Sequence, residues 1–259
     1  MCLQKSKMNL SLKVTLVNLL FWIGLTISPP PVNSQLRETK VIFSPPIFEG
    51  KLSRTGSPPS RTKSPGRGPC SEIIVALVPG EEIVKVDSEQ CQSKSLAFPG
   101  LTMLEHPMLW VYVPSSQIPE ISGEIALIER DSNRLVHRQA VALSGKAGVV
   151  GIPFEKALEL DKDYRWSFSL QIHPNRPTKN PTVGGLVRRA SLETDLAQFS
   201  SPREKIAFLA SKGFWYDALS LLAELRQEKP QDAGLLADWQ DLLESVGLGA
   251  FADAPFASK

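Results

Sequence analysis

Short apolar runs separated by turn residues fill the chain between Cys70 and Ala190, and the clearest of them alternates strictly. Tyr164, Trp166, Phe168, Leu170 and Ile172 interleave with Arg165, Ser167, Ser169 and Gln171, a period of two that puts every large side chain on one face of a strand over Tyr164 to His173. Further strands are expected over Glu72 to Val78, Met108 to Val113, Gly123 to Arg130, Arg134 to Leu143, Gly148 to Ile152 and Val183 to Ala190. This spacing predicts an antiparallel β-sandwich, immunoglobulin-like in type. Met108 to Val113 departs from alternation, because Trp110 and Tyr112 on one face and Leu109, Val111 and Val113 on the other are all apolar. Such a strand is central or covered, and the helices that follow are the available cover.

From Ser191 the period becomes helical. Ser201-Pro202-Arg203-Glu204 places a capping serine before a first-turn proline, and Ile206, Ala207, Leu209 and Ala210 continue an apolar stripe that Gly213 ends. A second helix runs from about Trp215 to Glu228 and stops before Pro230, with Ala218, Leu219, Leu222 and Leu225 at helical offsets. A third covers about Asp232 to Val246, with Leu235, Leu236, Trp239, Leu242 and Leu243 inward and Gly247 at its end. The fold class expected is therefore α+β: a sandwich followed by a small C-terminal helical hairpin and cap.

The first 69 residues carry no such pattern. Lys5, Lys7 and Lys13 precede the apolar run Val14 to Ile27, the layout of a secretory signal peptide over 1–34, with an uncleaved anchor as the alternative. Residues 35–69 are rich in Pro, Ser, Lys and Arg and read as a disordered basic linker. The domains expected after them are a sandwich at 70–190, helices at 191–250 and a tail at 251–259. Both readings of the leader place the protein outside the cytoplasm, secreted or periplasmic.

Charge is distributed unevenly along the 259 residues. The first 34 carry +3 and the linker +5, whereas residues 70–190 carry −1 and 191–259 carry −5. Nucleic acid is excluded as a partner of the folded part, while the linker has the charge to touch anionic wall polymer or lipid headgroups. Once the leader is removed two cysteines remain, Cys70 and Cys91, which form either a disulfide or two free thiols.

No catalytic constellation emerges. The three histidines are scattered, Ser144-Gly145-Lys146 lacks the first glycine of a phosphate-binding loop, and Asp161 and Asp163 fall in a polar turn. No cofactor, metal or catalytic residue is assigned. Arg188-Arg189-Ala190-Ser191 has the form of a kinase site, but in an exported chain it has no function as one. The candidate surface or interface residues are His106, Trp110, Tyr112, Arg165, Trp166, Trp215, Tyr216 and Asp217. Trp110, Tyr112 and Trp166 have the faces to stack on a sugar or a partner, or else serve as packing. Glu105, His106 and Arg165 would make a catalytic group only by converging in one pocket.

Gly213, Trp215, Ala218, Leu222 and Pro230 match the second half of a tetratricopeptide repeat, although Pro202, Lys205 and Ile206 depart from its first half. More extensive is the ordered text Glu105-His106-Pro107, Trp110-Val111-Tyr112-Val113-Pro114, Tyr164 to Leu170, Gly213-Phe214-Trp215-Tyr216-Asp217-Ala218-Leu219, Ala223-Glu224-Leu225-Arg226, Pro230 and Asp238-Trp239 before Val246-Gly247-Leu248. It resembles a family of cyanobacterial secreted proteins known only as a domain of unknown function, from about Cys70 to Asp253. The resemblance implies export and a cyanobacterial source, and supplies no activity. Family members tend to carry a cysteine near Ile172 that is absent here, so it implies no Cys70–Cys91 pairing. The expected function is a non-enzymatic interaction or scaffold module of the cell envelope, with a periplasmic ligand- or sugar-binding sensor as the alternative and an enzyme behind both.

Overall fold

The computed structural model describes residues 40–46, 62–63, 74–83, 94–115, 121–173 and 175–257. The leader expected over 1–34 and the two cysteines Cys70 and Cys91 lie outside the described residues. Among the described residues eleven strands are formed: β1 (Thr62–Lys63), β2 (Ile74–Ala76), β3 (Gly80–Ile83), β4 (Lys94–Ala97), β5 (Pro99–Thr102), β6 (Met108–Val113), β7 (Ser122–Glu129), β8 (Arg134–Ala142), β9 (Gly148–Pro153), β10 (Asp163–Leu170) and β11 (Thr182–Arg189). Three helices follow: α1 (Pro202–Ser211), α2 (Trp215–Glu228) and α3 (Ala233–Glu244). The protein is thus mixed α+β.

One sheet has the order β1-β2-β6-β9 and the other β5-β11-β10-β7-β8, with β3 and β4 forming a separate pair. Alternation in β10 is realised as far as Leu170: Tyr164, Trp166, Phe168 and Leu170 are buried and the residues between them are not, whereas the strand expected to reach His173 stops there and Ile172 is only half-buried. Its flanks β11 and β7 pair antiparallel, with Trp166 opposite both Gly185 and Leu127. Gly185 lies where the two sheets meet, since a Cβ there would fall 2.6 Å from Val78 and 2.9 Å from the Trp166 indole. Not all pairing is antiparallel, however. β5 joins β11 in parallel, Gly100 beside Val187, a strand that Pro99-Gly100 conceals from any reading of local propensity.

The helix termini form as their residues dictate. The Ser201 side chain accepts the Glu204 backbone N–H while the Glu204 carboxylate accepts the Ser201 N–H, a complete capping box with Pro202 in the first turn. Gly213 closes α1 at φ 82°, a conformation that favours glycine. Asp232 caps α3 by accepting from the N–H groups of Gly234 and Leu235.

A tether over the whole of 35–69 does not hold, because residues 40–46 pack across the helices. Val41 and Phe43 are buried, the Phe43 ring meets Trp215 edge-on at 5.1 Å, and its N–H donates to Ser245 Oγ at 3.1 Å. The Ser44 N–H donates to the Ala210 carbonyl, and Pro46 sits over Gly213. A proline-rich composition conceals this strap because two buried side chains in seven residues leave no periodicity. Among the described residues, no helix is long and apolar enough to cross a membrane.

Candidate functional site

The first turns of α2 carry an unusual density of polar atoms facing inward, and each has a partner in the strand layers. Trp215 Nε1 donates to the Leu77 carbonyl at 2.9 Å, and Tyr216 Oη accepts from Trp166 Nε1 at 2.9 Å while donating to the Leu186 carbonyl at 3.0 Å. One turn on, Ser220 Oγ accepts from Trp110 Nε1 at 3.0 Å. Gly100 on β5 permits the approach, for a Cβ there would lie 2.9 Å from the Tyr216 ring and 3.0 Å from Trp215 Cβ. Trp110, Trp166, Trp215 and Tyr216 are therefore buried joints between helix and sheets, which corrects the surface half of their reading and leaves packing between elements. Their hydrogen-bonding atoms satisfy one another because an unpaired polar atom here costs about 1–3 kcal/mol.

Asp217 is buried as well, at 4% exposure. Its two carboxylate oxygens accept the Met103 N–H at 3.1 and 3.3 Å, and the Thr102 hydroxyl is a further donor. Burial pushes its pKa up to about 7, against the opposing hydrogen bonds from Met103, Thr102 and its own backbone. Among the described residues no cationic side chain contributes to its titration, so its charge is opposed by burial alone.

Met103 opens the exposed connection between β5 and β6, and this connection meets the end of β11. Arg189 Nε donates to the Met103 carbonyl at 3.3 Å, its Nη1 donates to the Leu158 carbonyl at 3.1 Å, and the same Nη1 lies 3.1 Å from the Glu105 carboxylate. The Leu158 N–H donates to the Glu105 carbonyl, and Leu160 bridges to Arg189. Leu104 and Leu160, each 48% exposed, thus flank an ion pair, with exposed His106 beside them. Thr102, Leu104, Leu160, Arg189 and Ser220 escape sequence reasoning because their roles depend on contacts across long stretches of chain. Arg189 ends a strand rather than marking a modification site, and Arg188 forms a two-pronged pair with Asp163 at 2.7 and 2.8 Å.

The proposed catalytic trio is not assembled. Glu105 pairs with Arg189, His106 Nδ1 bonds the Phe154 carbonyl at 2.9 Å, and Arg165 lies mid-strand on the face of β10 opposite to Trp166. Tyr112 is half-buried, its ring 5.1 Å from Phe251. A small cleft at the other end of the strands is lined by Val113, Ile121, Leu143 and Leu170 with Ser144, Gly145 and Lys146, and holds no aromatic face for a sugar among the described residues. No group of three or more His, Cys, Asp or Glu among the described residues is placed to hold a metal.

No curated protein matches the sequence. A family model does, over residues 59–256, a span that contains every strand pair and helix named above and the seam of α2. On that match the chain belongs to the DUF928 family, a domain of unknown function.

Proposed function

We propose that the protein is an exported, non-enzymatic interaction module of the cell envelope, and that it meets its partner through the patch of Leu104, Glu105 and His106 with Leu160 and Arg189. The observation that carries this reading is the contrast between committed and free groups. The large aromatics of the seam are spent on holding α2, while two leucines with nearly half their surface in water bracket a surface ion pair. An apolar pair around a charged centre is the composition of a recognition patch.

The leader-like sequence of 1–34 supports export, and the basic charge of 35–69 supports a second, electrostatic contact with anionic wall polymer or lipid. The resemblance to cyanobacterial secreted proteins supports the same compartment and source. The Val78–Gly185–Trp166 junction supports a face-to-face sandwich, immunoglobulin-like in architecture if not in strand pairing. Gly213, Trp215, Ala218, Leu222 and Pro230 support reading α1 and α2 as a tetratricopeptide-like hairpin, used here for docking to the sheets.

A photo-crosslinking residue at position 104, with Ala140 on exposed β8 as control, tests the patch in the native envelope. An adduct from position 104 that excess unlabelled protein competes away, with none from 140, is the expected result. Equal labelling at both positions, or none at 104, rejects the patch.

A further inference from the structure

We infer that the helical layer is a receptor for an extended peptide segment, and that residues 40–46 are the chain's own copy of that ligand: a basic residue, two apolar side chains set two apart with the second aromatic, then serine and proline. A partner polypeptide that carries this pattern takes the same groove in trans. The inference is independent of the Leu104 patch.

The segment lies on the helices as a bound peptide does. Val41 and Phe43 are 1% and 6% exposed while Ile42 between them is 49% exposed, the alternation of an extended chain that offers every second side chain to a receptor. Lys40 Nζ lies 3.8 Å from the Asp241 carboxylate on α3, a cation brought to the part of the chain that carries −5. The Phe43 ring meets Trp215 edge-on, the Phe43 and Ser44 N–H groups donate to Ser245 Oγ and the Ala210 carbonyl, and Pro46 covers Gly213. All of these partners belong to α1, α2, α3 or the turns after them, and the segment lies outside residues 59–256 that match the family model.

The receptor face is set by contacts that the segment does not make. Ser245 Oγ donates its O–H to the Leu242 carbonyl at 2.7 Å, which leaves its lone pairs for the Phe43 N–H. Trp215 is anchored through Nε1 on the Leu77 carbonyl, and the Gly213 carbonyl accepts the Leu101 N–H at 2.9 Å. Gly213, at φ 82°, also lacks the Cβ that would fall 2.8 Å from Pro46. An incoming segment of the same pattern regains each contact that the resident one gives up, so exchange is opposed only by the covalent tether. Attachment through the chain acts as an effective concentration of about millimolar. Such a groove stays shut to weak ligands and admits one that is locally concentrated or binds better.

Titration of the full chain carrying Phe43→Ala with a fluorescent peptide of the sequence of residues 40–46 tests this. The peptide should bind saturably, and the wild-type chain, whose own segment competes, should need at least about tenfold more of it. Phe43→Ala in the peptide should weaken binding at least about tenfold, whereas Ile42→Ser at the exposed position should change it less than about twofold. No saturable binding, or equal affinity of the Phe43→Ala peptide and its parent, overturns the receptor. The wild-type chain supplies a measurement that needs no variant to fold: a peptide with a benzophenone in place of the Phe43 ring should crosslink beside Trp215, and no adduct at about millimolar peptide overturns the receptor equally. The same benzophenone at position 43 of the full chain should crosslink within its own chain. A crosslinked dimer in its place makes a second copy the occupant and overturns the separate partner.

Discussion

The indole N–H of Trp166, in the middle of β10, donates to the hydroxyl of Tyr216 on α2 at 2.9 Å. That hydroxyl in turn donates its O–H to the Leu186 carbonyl at 3.0 Å, so a strand interior, a helix and a neighbouring strand are joined through one oxygen. All of it is buried, which gives each bond its value and makes each expensive to break.

Replacing Tyr216 by Phe keeps the ring and removes the oxygen, leaving Trp166 Nε1 and the Leu186 carbonyl without that partner. The expected loss is about 1–3 kcal/mol per stranded group at the upper end, read as a lower denaturant midpoint at constant slope. An unchanged midpoint would show that water replaces the hydroxyl.

Arg203 on α1 grips Asp238 on α3 with two nitrogens, one of them at 2.6 Å, and Asp238 is only 3% exposed. Arg203→Leu strands a buried carboxylate and should cost about 3 kcal/mol, whereas Asp238→Asn in the same background should recover part of it. A double-mutant cycle by chemical denaturation measures the coupling.

Phe43 tests the N-terminal strap. Phe43→Ala removes a buried ring from the edge of Trp215 and should destabilise the protein by about 3 kcal/mol. A chain beginning at residue 70 should show a comparable loss, and equal melting temperatures for both forms would show that the strap adds nothing.

Asp217 also shapes global stability, with a definite sign. Its native pKa of about 7 lies above the ordinary 3.8, so the folded state holds a proton that the unfolded state has lost between those values. The contribution is fully present below the ordinary value and declines as pH rises to about 7, by a ceiling on the order of 4 kcal/mol. Denaturation at pH 5 and 7.5 should show this fall in the wild type, and Asp217→Asn should flatten it.

Local signals in the sequence are strong where one face of one element decides the outcome. The alternation from Tyr164 to Leu170 became β10, Ser201-Pro202 became a capped α1, and Met108 to Val113 formed with the limits its apolar run predicts. Apolar residues on both faces of that last strand also announced its cover, since Trp110 bonds Ser220 on α2. β5 and the strap gave no signal, because Pro99-Gly100 and Lys40 to Pro46 contradict regular structure locally and are held by distant contacts.

That the chain belongs to an uncharacterised family and to the mixed α+β class was legible in the chain itself, because short-range periodicity and long ordered text survive without coordinates. Which aromatics are joints and which side chains face water was decided by tertiary structure alone. Tyr216 and Leu104 look equally available in the sequence, yet one is 2% exposed and the other 48%. The physical reason is that burial belongs to pairs of elements: α2 could dispose of Trp215, Tyr216 and Asp217 only once β5 and its Gly100 lay beneath it.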